Sequence, residues 1–390
     1  MSVFRHGHAT HPQWSMAMEI ALSQAMGREG PIGGGFASGL GILYVTDGLA
    51  PHLGELLAGL RSRTGVHHWS GAVAASICAG GVEYAGEPAL ALMIASLPPG
   101  SFRVFSGRLR NPGAGAPAHT ALVHADPRLP DIAELVAELA DRTDTGFLFG
   151  ALTSGADEGD TQIADDPVRG GLSGVAFDAS VRLLTRVTQG CAPLAGEHRI
   201  SECTGQFLQQ LDGRPALDVL LEDLGVRLPP KAERSGPAIL QALPVQRLRQ
   251  GLFVGLASGD GGRSPGFGDY LVRSVVGIDP NNRVVAVGDT LQAGDRVVFC
   301  TRDRDAARRD LVRIIAELRE EVDEEGLTIS GALYHSCVAR GSHLFGAQGA
   351  EMELIRHHLG EVPLIGMYGN GEIARDRIYG HTGVLTLFAA

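Results

Sequence analysis

The residues best equipped for chemistry lie near the C-terminus. Cys337 sits in the run Y-H-S-C-V-A-R-G, Tyr334 to Gly341, with His335 two residues before it and Arg340 three after. A nearby guanidinium favours thiolate over thiol, which lowers the thiol pKa and raises reactivity. Cys337 is therefore a candidate covalent sensor or nucleophile; the other reading is a buried structural thiol, since free cysteine is among the most buried residue types. Further on, an apolar run V-P-L-I-G-M-Y ends at Tyr368 and is broken by Gly369-Asn370-Gly371-Glu372. Glycines there let backbone N–H groups approach a ligand, and the carboxylate can bind an amine. With Arg340 as a carboxylate clamp, Tyr334, Ser336, Cys337, Arg340, Gly341, Tyr368, Gly369, Asn370, Gly371 and Glu372 form a candidate site for a small zwitterion. The alternative is a turn in which Glu372 caps the next segment. His381-Thr382 arrives on a separate loop and either closes the same site or begins a last strand, Val384 to Phe388. Ser70, in a small-residue stretch of the first half, joins the ligand-binding candidates.

The elements that position these residues are legible from periodicity. Trp14, Met18, Leu22 and Met26 recur every four residues in a helix that Gly27 stops. Leu40 to Val45 reads as a strand, Thr46-Asp47 as a helix cap, and Leu53, Leu56, Leu57 and Leu60 as one helical face. After Gly65, V-H-H-W-S-G-A-V-A-A-S-I resembles a strand reaching a small-residue loop. The C-terminal stretch repeats this plan: a strand from Leu327 to Tyr334, a helix from Gly349 to Leu359, a strand from Glu361 to Tyr368, then a glycine break. Strand, helix, strand and small-residue loop thus occur twice, and we read two related halves. Asp131 caps a helix with Ile132, Leu135, Val136 and Leu139 on its face. A long amphipathic helix carries Leu311, Ile314, Ile315, Leu318 and Val322. The run L-P-P-K-A-E-R-S-G-P, Leu228 to Pro237, has no apolar period and marks the domain boundary. The expected organisation is a flexible arm at residues 1–12 and domains at 13–230 and 231–390. The expected fold is α/β (α+β the alternative), with two related domains of mixed sheet flanked by helices and packed as one body.

Composition narrows the function. A chain of 390 residues is long enough for two domains, and its 54 glycines imply many turns and close backbone approaches. The net charge of −11 and aromatic content of 5% speak against a nucleic-acid partner. No apolar run approaches the ~20 residues that span a bilayer, and the first residues lack the apolar segment of a signal peptide. Cys78, Cys191, Cys203, Cys300 and Cys337 are scattered without a C-x-x-C, as in a reduced cytoplasm. His6, His8 and His11 have no carboxylate or thiol beside them, so the N-terminus reads as a solvated arm and no metal site is expected. Gly33 to Gly39 lacks dinucleotide spacing, there is no Walker A motif, Ser70 is not in a G-x-S-x-G elbow, and Lys231 sits in the linker.

Two blocks carry a resemblance to a known family. G-G-L-S-G-V-A-F (Gly170 to Phe177) with V-T-Q-G-C-A-P-L (Val187 to Leu194), and C-V-A-R-G with P-L-I-G-M-Y-G-N-G-E-I, resemble the FIST family, built from an N-terminal and a C-terminal FIST domain. The second block is similar to the eukaryotic F-box member, without an F-box ahead of it here. The resemblance implies ligand sensing in signal transduction, with small polar metabolites such as amino acids as ligands and a signalling partner protein supplied in trans. Some members are haem-binding nitric oxide sensors. A haem would need an axial ligand, for which His67, His68, His357, His358 or Cys191 are the candidates. An enzyme or covalent sensor using Cys337, and a protein-interaction scaffold, remain the other classes.

Overall fold

Gly71, Gly150 and Gly366 occupy the same place in three strand–helix–strand units. At each, an added Cβ would lie 1.8–1.9 Å from the carbonyl oxygen of the residue alongside, Leu43, Val123 and Tyr334 respectively. Two parallel strands close to that degree only if one of them is bare of side chain there. These units organise a chain that a computed structural model describes for residues 4–27, 39–107, 118–156, 161–228, 230, 235–244, 251–257 and 270–390.

The first repeat runs β1 (Phe4–Thr10), α1 (Trp14–Met26), β2 (Leu40–Thr46), α2 (Leu53–Thr64), β3 (His68–Ala74), a hairpin of β4 (Ser76–Ala79) and β5 (Val82–Ala85), and β6 (Ala89–Ala95). The second has β7 (Phe102–Ser106), β8 (Thr120–Ala125), α3 (Ile132–Ala140), β9 (Leu148–Leu152), the hairpin β10 (Thr161–Ala164) and β11 (Asp166–Arg169), and β12 (Leu172–Phe177). The third opens with β13 (Arg182–Gln189). It is interrupted in sequence by β14 (Cys191–Pro193), β15 (His198–Thr204), β16 (Phe207–Leu211), β17 (Arg214–Pro215), α4 (Ala216–Asp223), α5 (Gly236–Ala242), β18 (Leu252–Ala257), β19 (Tyr270–Asp279), β20 (Val284–Val287) and β21 (Arg296–Arg302). It resumes with α6 (Arg304–Glu324), β22 (Ile329–Cys337), α7 (Gly341–Phe345), α8 (Ala350–Leu359), β23 (Leu364–Gly369), the hairpin β24 (Glu372–Arg375) and β25 (Arg377–Tyr379), and β26 (Thr382–Ala389).

The repeats build three six-stranded mixed sheets of one design: β1-β6-β2-β3-β10-β11, β7-β12-β8-β9-β24-β25 and β13-β26-β22-β23-β4-β5. In each, the two strands around the crossover helix are parallel and the rest pair antiparallel. Each repeat sends its hairpin to another repeat's sheet in cyclic order, so no repeat completes a sheet alone. Strand alternation gives each sheet two faces. On the first sheet, Leu43, Val45, Trp69, Val73, Leu90 and Leu92 meet Met18, Leu22, Leu53, Leu56, Leu57 and Leu60 of the helices. The opposite face, with Leu40, Ile42 and Tyr44, shares a core with Leu122, Phe149 and Val175 of the second sheet and Leu333, Ile365 and Met367 of the third. Burying each such aliphatic side chain stabilises by about 1.5–3 kcal/mol, so the three inner faces hold one another in place.

The chain forms two compact units, Met1–Thr188 with Arg308–Ala390, and Gln189–Ala307. The smaller unit is a closed antiparallel barrel of six strands, in which β18 pairs β21, β21 pairs β15, and the ring continues through β16, β20 and β19. Its interior holds Ile200, Leu208, Leu211, Val254, Val285, Val297 and Phe299, with Leu217 and Leu220 of α4.

The mixed α/β class agrees with expectation, and several details differ. The N-terminal arm is a strand: Phe4–Thr10 pairs along its whole length with Ala89–Ala95. Its pattern was obscured because Gly7 faces α1, where a Cβ would sit 1.9 Å from the Ala21 carbonyl oxygen, and two histidines alternate with it. The strand–helix–strand plan occurs three times, not twice. Nor does the chain divide at residue 230 into consecutive bodies, because after the barrel it returns to complete the first unit. Thr46 stands at the N-cap of a short 3-10 helix, Asp47–His52, as expected, but its side chain makes no capping bond; the hydroxyl donates to the Glu87 carbonyl and accepts from the Ala89 N–H, tying β2 to β6. Most of the glycine run at 33–39, and Lys231 with half of its linker, lie outside the described residues.

Candidate functional site

The carboxyl ends of β22 and β23 lie side by side, with Cys337 opposite Gly369. Loops leaving adjacent parallel strands at that end are where open α/β sheets take ligands. The loop after β22 carries Arg340, which is 1% exposed and holds Glu351, 0% exposed, at the start of α8. Arg340 Nε donates to Glu351 Oε1 at 2.9 Å, and Nη2 lies 2.8 Å from the same oxygen. The Tyr334 hydroxyl donates to Oε1 at 2.7 Å, while Ser336 and the Gly341 N–H donate to Oε2 at 3.3 and 3.2 Å. Arg340 also stacks over Phe345, 5.3 Å from the ring centre. Burial alone would push the guanidinium towards neutrality; the Glu351 carboxylate overrides this and holds it charged. The carboxylate that Arg340 clamps is thus the chain's own. Neither Nη1 nor Nη2 has a hydrogen-bond partner among the described residues, although Nη2 stays in ion-pair contact with Oε1.

Glu372, 0% exposed, opens β24 and pairs with Ala151 of β9. Its Oε2 accepts from the Thr382 N–H at 3.1 Å and from the Thr382 hydroxyl at 2.7 Å. Oε1 has no nitrogen or oxygen donor among the described residues. Burial pushes the Glu372 carboxyl up to about 8, against the pull of Thr382, Arg340 and the Cys337 thiol. Cys337, 7% exposed, is pushed up to about 12 by burial and then by the Glu372 charge; Arg340 pulls the other way and loses. The expectation that Arg340 would make Cys337 a reactive thiolate is therefore reversed. The guanidinium's charge is balanced by Glu351, and the larger influence on the thiol is the Glu372 carboxylate.

Tyr334, Ser336, Arg340 and Gly341 converge on Glu351, and Cys337, Glu372 and Thr382 form a second group coupled to it through Arg340. Gly371, at φ +157°, accepts from the Leu152 N–H, and exposed Asn370 donates its N–H to the Leu152 carbonyl. The Gly369 carbonyl accepts from Val338. His381 takes a left-handed φ of +61° immediately before Thr382. Tyr368 is buried and its hydroxyl bears on Glu83, whose Oε2 accepts from the Gly349 N–H at 3.0 Å. Ser70 stands apart: it lies on the first sheet opposite Ile42 and Ala164.

Sequence reading missed Glu351. Its signal was position: it stands four residues before Ile355, on the apolar face of α8, where an exposed glutamate has no place. It also missed a triad in the shared core. The three glycine positions make Tyr44, His124 and His335 equivalent residues of the three repeats, each one step beyond the residue that the glycine faces. All three are 0% exposed. The Tyr44 hydroxyl lies 3.0 Å from His124 Nε2 and 2.8 Å from His335 Nε2. A hydroxyl carries one proton, so it donates to one imidazole and accepts from the other. Burial holds His124 at about 3 and His335 well below the usual imidazole range, so both rings are neutral.

The haem ligand candidates are spread over separate elements, with His358 beside Ile315, Arg319 and Glu320. His67 and His68 are exposed at the start of β3, with His68 Nδ1 3.3 Å from Asp165. His357 lines an open groove with Arg308, Glu353, Arg356 and Glu361, a charged lining unsuited to an apolar macrocycle. Cys191 is buried on the barrel. No cluster of three His, Cys, Asp or Glu among the described residues is placed to hold a metal ion. No helix among them is long and apolar enough to cross a membrane.

Comparison with known proteins adds the following. A model of the FIST N domain matches residues 39–214 and a model of the FIST C domain matches residues 216–375. An uncharacterized protein of Mycobacterium tuberculosis is 29% identical over 351 residues, covering 86% of this chain and 87% of that protein. An uncharacterized protein of Mycobacterium bovis is 27% identical over 257 residues, covering 64% of this chain and 61% of its own length. The two domain models meet near residue 215, before the linker expected to separate the domains, and each spans part of the barrel.

Proposed function

Because the chain belongs to the FIST family, we propose that it is a sensory protein that binds a small polar ligand bearing an amine and a hydrogen-bond acceptor at the carboxyl ends of β22 and β23. One observation carries this reading. Gln162 opens the hairpin of the second repeat at the position equivalent to Glu372, each facing the residue after the repeat's second-strand glycine. Gln162 reaches the start of its return strand as Glu372 does, with Nε2 donating to the Gly171 carbonyl at 3.0 Å and Oε1 accepting from Ser173 at 2.6 Å. A neutral amide therefore suffices for the structural bond. The carboxylate of Glu372 costs stability where it stands, and such a cost is commonly retained for function.

In this reading Glu372 Oε1 takes the ligand's amine and Arg340 Nη1 its acceptor. Binding an ammonium group ionises Glu372 and releases a proton at neutral pH. Protonated Cys337 contributes a wall of the site rather than a nucleophile. The bound state is read by a separate signalling protein, and a change at Glu372 reaches the β25–β26 turn through Thr382.

The test is a thermal-shift screen of small amino-bearing metabolites at pH 7.5, run in parallel on Glu372→Gln. Hits are followed by calorimetry in two buffers of different ionisation enthalpy. The reading requires hits that stabilise the native chain, release about one proton and fail with the variant. Compounds that stabilise both proteins equally, or bind without proton release, would sink it.

A further inference from the structure

At the opposite end of β23 lies a cavity that the proposed ligand site does not use. It has a volume of about 290 Å³ and sits between β1, the β4–β5 turn, the last turn of α8 and the segment leading to Leu364. Gly7 is forced to face α1, so His6 and His8 share the other face of β1, with rings 6.3 Å apart and inclined by only 18°. Their Nε2 atoms converge on the bare α-carbon of Gly80: a Cβ added there would lie 3.3 Å from the first and 3.5 Å from the second. His8 is oriented by its Nδ1, 2.6 Å from the Tyr84 hydroxyl. Neither Nε2 has a hydrogen-bond partner among the described residues. The far wall is apolar, formed by Met352, Ile355, Leu359 and Leu364, each at most 6% exposed.

Charge at the mouth selects the ligand. Arg356 passes 3.1 Å from the position a Gly81 Cβ would take, so its stem lies along the glycine turn. Its only ion pair among the described residues is with Glu361, at a long 3.8 Å and with side chains 52% and 88% exposed, a pairing worth little in water. The guanidinium is available to an incoming anion, and Glu361 is free to turn into solvent. Partial burial keeps both imidazoles below their usual pKa, so near neutral pH they act as hydrogen-bonding groups rather than cations.

We propose that this cavity is a second ligand site, for a small monocarboxylic acid with a short aliphatic chain or a single ring. Its carboxylate meets Arg356 and the His6–His8 pair, and its apolar body lies on Met352, Ile355 and Leu359. At ~30 Å³ per heavy atom the volume admits about ten non-hydrogen atoms, the size of hexanoate or benzoate.

The experiment is ligand-detected NMR and calorimetry with hexanoate and benzoate against hexanamide and benzamide, in the presence of a chelator. The acids should bind with Kd of about 1 mM, at least tenfold tighter than the amides. Arg356→Gln, a surface change that leaves the fold intact, should weaken the acids about tenfold without affecting the amides. His6→Leu should weaken the acids as well, while Glu372→Gln should leave their affinity unchanged, which separates this site from the one at the other end of β23. Equal affinity for acid and amide, insensitivity to Arg356→Gln, or no binding of the acids up to about 50 mM would overturn the proposal. So would a response to Zn²⁺ alone without chelator, which would make the pair a metal site.

Discussion

Glu372→Gln should make the protein more stable at alkaline pH and leave it unchanged in acid. In an unfolded chain the carboxyl titrates near 4.5, and in the folded chain burial pushes it up to about 8. The folded state therefore holds a proton that the unfolded state releases between these values, and stability falls as pH rises from about 4.5 to about 8. Above that window the loss is constant. A gap of that width corresponds to about 5 kcal/mol as an upper bound, and relaxation around the ionised group reduces it to about 2–4 kcal/mol. Glutamine keeps the acceptor that Thr382 uses and has no proton to lose; Gln162 already demonstrates the amide in an equivalent position. Chemical denaturation at pH 5 and pH 9 measures the effect. The variant should match the native protein at pH 5 and exceed it by about 2–4 kcal/mol at pH 9. A variant no more stable than the native chain at pH 9 would show that Glu372 is ionised and well solvated in the folded state, and the argument for a retained functional carboxylate would fail with it.

Other substitutions test the remaining parts of the structure. Arg340→Met removes the cation from a fully buried pair and strands Glu351, so it should cost about 3–5 kcal/mol in denaturant titration; a loss under 1 kcal/mol would mean that the pair is hydrated. Tyr44→Phe leaves two buried imidazole nitrogens without a partner and should cost about 1–3 kcal/mol by the same assay, whereas an unchanged midpoint would mean that water replaces the hydroxyl. Cys337 should resist iodoacetamide at pH 7.5 in the folded protein and react promptly in denaturant, since a thiol pushed up to about 12 is almost wholly protonated; rapid native labelling would restore the reactive-thiolate reading. Gly150→Ala places a methyl 1.9 Å from the Val123 carbonyl oxygen and should prevent folding or shift Tm down by more than 10 °C, a result that an unstrained second crossover would not give.

How far the sequence could be read depended on whether the relevant force acts along the chain or across it. The helix at Trp14–Met26 has its predicted bounds, and Leu311, Ile314, Ile315, Leu318 and Val322 are all buried as their period requires. The strand at Leu40 was equally plain. Three features were not legible, each for a reason of distance. β1 was hidden because a glycine facing α1 and two histidines facing a cavity carry no apolar alternation. The second repeat went unmatched because its equivalence rests on a glycine in the middle of a short strand, visible only against the carbonyl it faces. That Arg340 holds the chain's own Glu351 was not legible either, because Glu351 is brought in by the fold of the following loop and helix.

The threefold plan explains why chemistry gathers in the third repeat. Equivalent positions near the sheet ends are filled by Thr46, Asp126 and Cys337 on the first parallel strands, and by Ile77, Gln162 and Glu372 on the exchanged hairpins. In the first repeat this pair is a hydroxyl tied to the backbone and an apolar side chain. In the second, the Asp126 carboxylate is buried but held low in pKa by Arg128, whose N–H groups donate to it at 2.9–3.1 Å, and the hairpin residue is a neutral amide. At these equivalent positions the third repeat puts a thiol and a carboxylate together out of water, and its loop residue Arg340 is wholly buried. A scaffold of three interlocked sheets, each completed by another repeat's hairpin, can carry that local cost because the shared core is held from three sides. In the proposed function, two repeats maintain the frame and the third carries the groups offered to a ligand.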